Sequence, residues 1–131
     1  MEKGLIVVKF GGSCLSTPAT VAAAADKVVA EVKKGKKAVI VVSALTGVTD
    51  SLLKAAKEST SGSISLEDLD SILSMGERTA VTLMTGALKA RGLSTQGIDP
   101  TSNIWPILTD SNYGRAEVLL KETRKRVKGW I

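Results

Sequence analysis

Two short apolar segments constrain the fold of this 131-residue chain more than any other feature. They are Leu5–Phe10 and Lys37–Val42, both rich in β-branched residues and nearly continuous in apolar character. Such runs are typical of parallel strands that are covered on both faces. Between them, apolar residues recur at helical spacing: Val21, Ala25, Val28, Val29 and Val32. The sequence therefore predicts a strand–helix–strand unit, whose connection is almost always right-handed.

Local start and stop signals extend this pattern along the chain. Thr17 before Pro18 is typical of a helix start, and Gly35 of a helix end. The expected later elements are a helix capped by Thr49 or Asp50 and ending near Glu58, a long helix opened by a capping box at Ser65 and closed by Gly92, a strand over Ser94–Ile98, a shorter strand over Trp105–Thr109 and a helix over Ala116–Lys128. This order predicts one α/β domain, an open and mostly parallel sheet in a three-layer α/β/α sandwich.

The cysteine and histidine counts exclude several kinds of chemistry. Cys14 is the only cysteine, so a disulfide within the chain is impossible. The chain has no histidine, which removes histidine catalysis and leaves Cys14 without a histidine to activate it. A zinc site is not expected either, and we predict no metal-ligating residues.

The charge distribution indicates no special partner. The net charge of +5 arises from two basic clusters, Lys33–Lys37 and Arg115–Lys128, which we interpret as solvated helix ends. Four aromatic residues offer no stacking platform, so nucleic-acid binding is not expected, although a basic nucleic-acid binder stays as an alternative. No apolar run approaches the ~20 residues of a membrane span. We expect a cytoplasmic protein without a membrane partner.

The first candidate for chemistry is Lys9-Phe10-Gly11-Gly12-Ser13, at the end of the first strand. Glycines let backbone N–H groups approach anionic oxygens, and a lysine supplies a compact positive charge to a transferring phosphoryl group. The alternative is a strand end followed by a simple turn. The segment is not a P-loop, because the pattern Gly-x-x-x-x-Gly-Lys-Ser/Thr does not occur.

Two further segments place polar groups where a small ligand could bind. Ser43–Asp50 has three hydroxyls and a glycine after the second strand, or it is simply a helix-capping loop. In Ser74–Thr79, Glu77 could receive an amine, and Arg78 could balance Glu77 or pair elsewhere. The alternative there is a Glu–Arg pair on a solvated face. Gly76 lies on the apolar stripe of its helix, which would permit close approach of another backbone.

A fourth segment, Leu108–Gly114, reads as a polar turn that precedes the last helix. Asp110 or Ser111 could cap that helix. By itself this segment indicates no chemistry.

In their order and spacing, the four segments resemble the N-terminal part of aspartate kinases in the amino acid kinase family. The matching motifs are Lys9-Phe10-Gly11-Gly12-Ser13, Val41-Val42-Ser43-Ala44 with Gly47-Val48-Thr49-Asp50, Ser74-Met75-Gly76-Glu77 and Thr109-Asp110-Ser111-Asn112-Tyr113-Gly114. The resemblance covers nearly all of residues 1–131, and the first and third motifs are its most specific part. Leu45-Thr46 departs from the small residues more usual at that place.

The resemblance implies transfer of a phosphoryl group from ATP, with Mg2+, to the side-chain carboxylate of L-aspartate. The product is 4-phospho-L-aspartate, the first step toward lysine, threonine and methionine. Lys9 would then stabilise the transferring group, and the phosphates of ATP would lie against Phe10, Gly11, Gly12 and Ser13. Thr49 and Glu77 would contact aspartate, Glu77 through the α-amino group, with Ser43 as a further candidate.

The chain is shorter than the family's kinase domain. We therefore expect residues 1–131 to be its amino-acid-substrate part, without the nucleotide-binding half and the regulatory domains, and inactive alone. The complete enzyme would be a homo-oligomer. The alternatives are a related kinase acting on glutamate, acetylglutamate or UMP, or a non-catalytic ligand-binding module of the same fold.

Overall fold

A computed structural model describes residues 4–130. The elements are β1 (Leu5–Phe10), a 3₁₀ turn (Gly12–Cys14), α1 (Pro18–Lys33), β2 (Lys37–Val42), α2 (Val48–Ser59), α3 (Leu66–Lys89) and α4 (Leu120–Lys128). β1 and β2 pair in parallel, from Leu5 opposite Lys37 to Phe10 opposite Val42. The predicted strand–helix–strand unit and the α/β class are thus confirmed, with both strands at their expected bounds.

The two faces of the sheet have different environments. One face packs against α1 and α3 through Val8, Phe10, Ala38, Ile40 and Val42. On the other face, Leu5 and Val41 are 44% exposed and Val7 is 68% exposed. Within residues 4–130 the helices therefore cover one face of the sheet, whereas the sequence predicted helices on both. We call the residues Leu5, Val7 and Val41 the open face.

Small side chains and a well-formed cap bring α1 close to the sheet. Thr17 caps α1 as expected, accepting from the N–H of Thr20, while the Thr20 hydroxyl oxygen accepts from the N–H of Thr17. Along the buried side lie Val21, Ala24, Ala25 and Val28. Because alanines protrude little, the axis of α1 can lie close to the strands. Gly35, with φ of +89°, then turns the chain into β2.

Arg91 joins the end of α3 to α1. Its Nε donates to Oδ1 of Asp26 at 2.6 Å, and its Nη2 donates to the carbonyl oxygen of Ala22 at 3.2 Å. Its Nη1 donates to the carbonyl oxygen of Ala87 at 2.9 Å, within α3. The hydrogen bond from Arg91 lowers the pKa of Asp26. The α1–α3 packing is therefore fixed by oriented polar contacts as well as by the apolar core.

The caps of α2 and α3 differ in detail from the expected ones. α2 begins after Gly47, whose φ is +80°, and not after Thr49 or Asp50, which lie inside its first turn. A left-handed glycine redirects the chain here without a capping side chain. Ser65 does cap α3, accepting from the N–H of Asp68 at 3.0 Å. The Ser65 hydroxyl also donates to the Asp68 carboxylate at 2.7 Å, so the reciprocal bond of a capping box is replaced by a side-chain pair.

The expectations for the chain after α3 need three corrections. Ser94–Ile98 is not a strand, because it pairs with no other strand among the described residues; Gly97 lies instead against α3, where a Cβ would come 2.7 Å from the Thr85 hydroxyl. Trp105–Thr109 is not a strand either, apart from a single antiparallel bridge between Thr109 and Val118. Beside this bridge, the N–H of Asp110 donates to the carbonyl oxygen of Glu117 and the N–H of Leu119 to that of Leu108, and the last helix begins at Leu120 instead of Ala116. None of the helices in residues 4–130 combines the length and apolarity needed to cross a bilayer.

Gly76 allows α3 to pack closely against the chain that leads into α2. A Cβ built on Gly76 would lie 3.2 Å from the Cβ of Ala44, 3.2 Å from Cγ1 of Val48 and 3.4 Å from Cδ1 of Leu52. The close approach predicted from the sequence is confirmed, although the neighbouring atoms belong to side chains and not to backbone. Gly86, in the same helix, has no such neighbour within 4 Å.

We expect Gly76→Val to lower the free energy of unfolding by roughly 1–3 kcal/mol, because the added methyls must displace Ala44 and Val48. Chemical denaturation followed by circular dichroism measures the change. Gly86→Val is the matched control. It should be neutral or slightly stabilising, since valine has a higher helix propensity than glycine. Equal stabilities of the two variants would show that the Gly76 contact imposes no constraint.

Candidate active site

Two loops meet at the carboxyl ends of β1 and β2. The first loop is residues 11–15 and the second loop is residues 43–47. The N–H of Ser43 donates to the carbonyl oxygen of Phe10 at 3.2 Å, and the Thr46 hydroxyl donates to the carbonyl oxygen of Gly12 at 2.7 Å. A Cβ on Gly12 would lie only 3.2 Å from the carbonyl oxygen of Ala44. The edge of the sheet predicted to hold ligands therefore does bring these loops together.

The first loop presents backbone donors to its surroundings. Its carbonyl groups are used internally: those of Gly11 and Gly12 accept from the N–H groups of Cys14 and Leu15, at 2.9 and 3.0 Å. Within residues 4–130, the N–H groups of Gly11, Gly12 and Ser13 donate to no acceptor. Leu15, only 1% exposed, anchors the loop in the core. Consecutive free N–H groups on an anchored loop can bind an anionic oxygen.

Lys9 and Phe10 have opposite environments, because successive residues of a strand point to opposite faces. Lys9 is exposed, shares its face with Leu5 and Val7, and forms no ion pair in the part of the chain that the structure describes. Phe10 is 8% exposed and belongs to the core cluster. The ammonium group of Lys9 is thus available to a ligand, whereas Phe10 offers only its backbone.

The third motif is held against the second loop by Ala44. This residue is 6% exposed, with its carbonyl oxygen against Gly12 and its Cβ against Gly76. Thr49 and Glu77 are exposed and follow directly after Val48 and Gly76, the residues in contact. Ser43 is half-buried at the end of β2. The first three motifs therefore converge around one alanine.

Glu77 and Arg78 do not pair with each other. The Nε of Arg78 lies 3.4 Å from Oδ2 of Asp99, beyond the end of α3. The pKa of Asp99 is lowered chiefly by hydrogen bonds from the hydroxyl and N–H of Thr101, and further by Arg78. Among the described residues Glu77 has no hydrogen bond or ion pair that involves its carboxylate. The Glu–Arg pair that the sequence raised as an alternative therefore does not form, because Arg78 pairs with Asp99 instead.

The fourth motif lies apart from the other three, against the N-terminal end of α3. The Tyr113 hydroxyl donates to the Glu67 carboxylate at 3.2 Å, and the N–H of Gly114 donates to Oδ2 of Asp70 at 2.7 Å. Ten residues of helix, ~15 Å, separate Glu67 from Glu77. Asp110 caps its own turn instead of α4 and accepts from the N–H of Asn112, which lowers its pKa.

Thr46 is the residue whose position the sequence did not single out. In the sequence, Thr46 is one of three hydroxyl residues in Ser43–Asp50, and Leu45-Thr46 departs from the small residues that are more usual in the family. Neither observation indicates a contact with the first loop. The structure shows that this hydroxyl bridges to the first loop. The only available signal was a side chain with a donor in a loop that follows a strand.

Residues 4–130 contain no group of three or more acidic, cysteine or histidine side chains that could hold a metal ion. The candidate groups at this edge of the sheet are backbone N–H groups, hydroxyls, the Lys9 ammonium and the Glu77 carboxylate.

Comparisons with known proteins show the family of the chain. The sequence profile described as "Amino acid kinase family" matches residues 4–129, and the chain belongs to that family. It is 36% identical over 121 residues to the aspartate kinase of Pseudomonas putida, which covers 92% of this chain and 29% of that protein. It is 34% identical to aspartokinase 2 of Bacillus subtilis, covering 88% of this chain and 28% of that protein.

A solved structure of an aspartate kinase is also similar to this chain. The chain is similar to the crystal structure of an aspartate kinase from Synechocystis, with a TM-score of 0.64 and 34% sequence identity. The match covers 67% of this chain and 15% of that one. The chain thus spans less than a third of the length of the curated relatives it matches.

Proposed function

We propose that this chain is the amino-acid-substrate part of an aspartate kinase. The complete enzyme would transfer the γ-phosphoryl group of ATP to the side-chain carboxylate of L-aspartate. A carboxylate oxygen attacks the γ-phosphorus, the bond to the bridging oxygen breaks, and ADP leaves with that oxygen. The convergence of the first three motifs around Ala44 supports this proposal most directly. The named relatives are aspartate kinases, which favours aspartate over other acids.

We propose distinct roles for the two ends of the site. The free N–H groups of Gly11, Gly12 and Ser13 would bind phosphate oxygens, and Lys9 would stabilise the charge on the transferring group. Phe10 would contribute only backbone, since its ring lies in the core. Positioning and charge neutralisation of this kind provide most of the catalysis in phosphoryl transfer. Mg2+ would arrive bound to the triphosphate, and we assign it no ligand in this chain.

The amino-acid end would be formed by Glu77, Thr49 and Ser43. Glu77 is exposed and has no partner among residues 4–130, so it can accept hydrogen bonds from an α-ammonium group. Thr49 in the first turn of α2 would donate to a substrate carboxylate. The expected cytoplasmic location and the homo-oligomer of the complete enzyme stay predictions.

Glu77→Gln should weaken the binding of L-aspartate by on the order of 10- to 100-fold, because a charge-assisted hydrogen bond is replaced by a neutral one. Titration calorimetry on the complete enzyme that contains this segment, with L-aspartate, L-glutamate and UMP, measures the change. The matched control is Glu122→Gln, an exposed glutamate of α4 that lies outside the site. Parent-like affinity in Glu77→Gln would contradict the role. Tighter binding of glutamate or UMP than of aspartate would indicate a related kinase. If the parent bound none of the three ligands, the non-catalytic module would be favoured.

Lys9→Ala should lower turnover in the complete enzyme by about 100-fold or more, since a preorganised charge of this kind contributes about 3 kcal/mol to the transition state. A coupled assay of ADP release measures turnover. Lys37→Ala serves as the control, because Lys37 is an exposed lysine at the opposite end of the same sheet. Unchanged turnover in Lys9→Ala would remove Lys9 from the mechanism.

Residues 1–131 alone should not turn over substrate, because the loops described form only one side of a triphosphate site. We expect weak aspartate binding, negligible ATP binding and self-association through the open face, where Val7 is 68% exposed. The ADP-release assay and size-exclusion chromatography test these expectations. Turnover by this chain that disappears in Lys9→Ala would contradict them.

A further inference from the structure

The contact between Thr46 and Gly12 is the one side-chain hydrogen bond between the first and second loops within residues 4–130. The donor and acceptor lie 34 positions apart in the sequence and 2.7 Å apart in space. The two loops also meet through the close approach of Gly12 to the carbonyl oxygen of Ala44. The roles proposed above assign no function to the Thr46 hydroxyl itself.

The acceptor of this bond determines the orientation of a peptide group. The carbonyl oxygen of Gly12 accepts from the Thr46 hydroxyl and also from the N–H of Leu15, at 3.0 Å. Leu15 is immobilised in the core, so the carbonyl group is held from two sides. In a planar trans peptide the C=O and N–H groups point in opposite directions. Fixing the Gly12 carbonyl therefore directs the N–H of Ser13 away from Thr46 and Leu15.

We propose that Thr46 is a positioning residue that aims the N–H of Ser13 at the phosphoryl group during transfer. This inference rests on the function proposed above and adds to it a residue with no contact to substrate. A preorganised donor acts most strongly on charge that develops in the transition state. Loss of the Thr46 hydroxyl should therefore reduce kcat and leave KM for aspartate nearly unchanged, because the main aspartate contacts proposed, Thr49 and Glu77, belong to α2 and α3.

Two substitutions separate the hydroxyl from the volume of the side chain. Thr46→Val replaces the hydroxyl by a methyl of similar size, and Thr46→Ser keeps the donor. Thr82→Val is the matched control, since the Thr82 hydroxyl donates to the carbonyl oxygen of Arg78 at 3.0 Å on an exposed part of α3. In the complete enzyme, Thr46→Val should lower kcat by about tenfold and change KM for aspartate by less than about twofold. Thr46→Ser and Thr82→Val should both behave like the parent.

A second measurement on the complete enzyme does not depend on activity. The N–H of Leu15 shares its acceptor with Thr46, so its hydrogen exchange, followed by NMR, reports how firmly the Gly12 carbonyl is held. Thr46→Val should accelerate exchange at Leu15 by on the order of threefold or more, with Thr46→Ser and Thr82→Val unchanged.

The outcomes are distinguishable. Faster exchange at Leu15 together with the loss in kcat, both restored by serine, supports the proposal. Unchanged exchange, or an unchanged kcat in Thr46→Val, overturns it, as does a loss that falls equally on KM. A parent enzyme without kinase activity overturns the proposed function instead, and the exchange at Leu15 then still shows whether Thr46 holds the loop.

Discussion

The rest of the site depends on close packing around Ala44. Its carbonyl oxygen meets the position of a missing Cβ at Gly12, and its own Cβ meets the corresponding position at Gly76, each at 3.2 Å. The missing side chains of Gly12 and Gly76 thus leave the space that Ala44 occupies. In an interior packed at this density, an added methyl group would displace the neighbouring atoms. Because the first loop and α3 both contact the same residue, their relative positions are set by that contact. The residues proposed to bind phosphate and aspartate therefore lie on a common support.

The first loop and α3 present groups of opposite charge. Within residues 4–130, the first loop offers N–H groups that have no acceptor and is preceded by Lys9, whereas α3 offers the Glu77 carboxylate, which has no partner there. Arg78 does not neutralise Glu77, because its guanidinium group pairs with Asp99. Hydrogen bonds from Thr101, and further the contact with Arg78, lower the pKa of Asp99. An anionic phosphate and a cationic amine are the complements of these two regions.

The open face of the sheet and the two segments wrongly predicted as strands both depend on what packs beside them. The open face has the alternating exposure of a sheet that is covered on one side, although its residues are as apolar as those on the packed face. Parallel strands are seldom left in this state. The relatives are more than three times as long as the matched segment. Ser94–Ile98 and Trp105–Thr109 fail as strands for a related reason, since a strand exists only where a neighbour pairs with it.

Periodicity and local capping determined β1, α1, β2 and the existence of α2 and α3, because these signals act within a few residues and need no distant contact. The sequence also determined the chemical character of Lys9, the glycines and Glu77. Only the tertiary structure decided that Phe10 faces the core, that Arg78 pairs with Asp99 and that the fourth motif lies against the start of α3. It alone placed the Thr46 hydroxyl on the Gly12 carbonyl. The physical reason is that these facts depend on which surfaces meet in space, and no local pattern specifies contacts between residues so far apart along the chain.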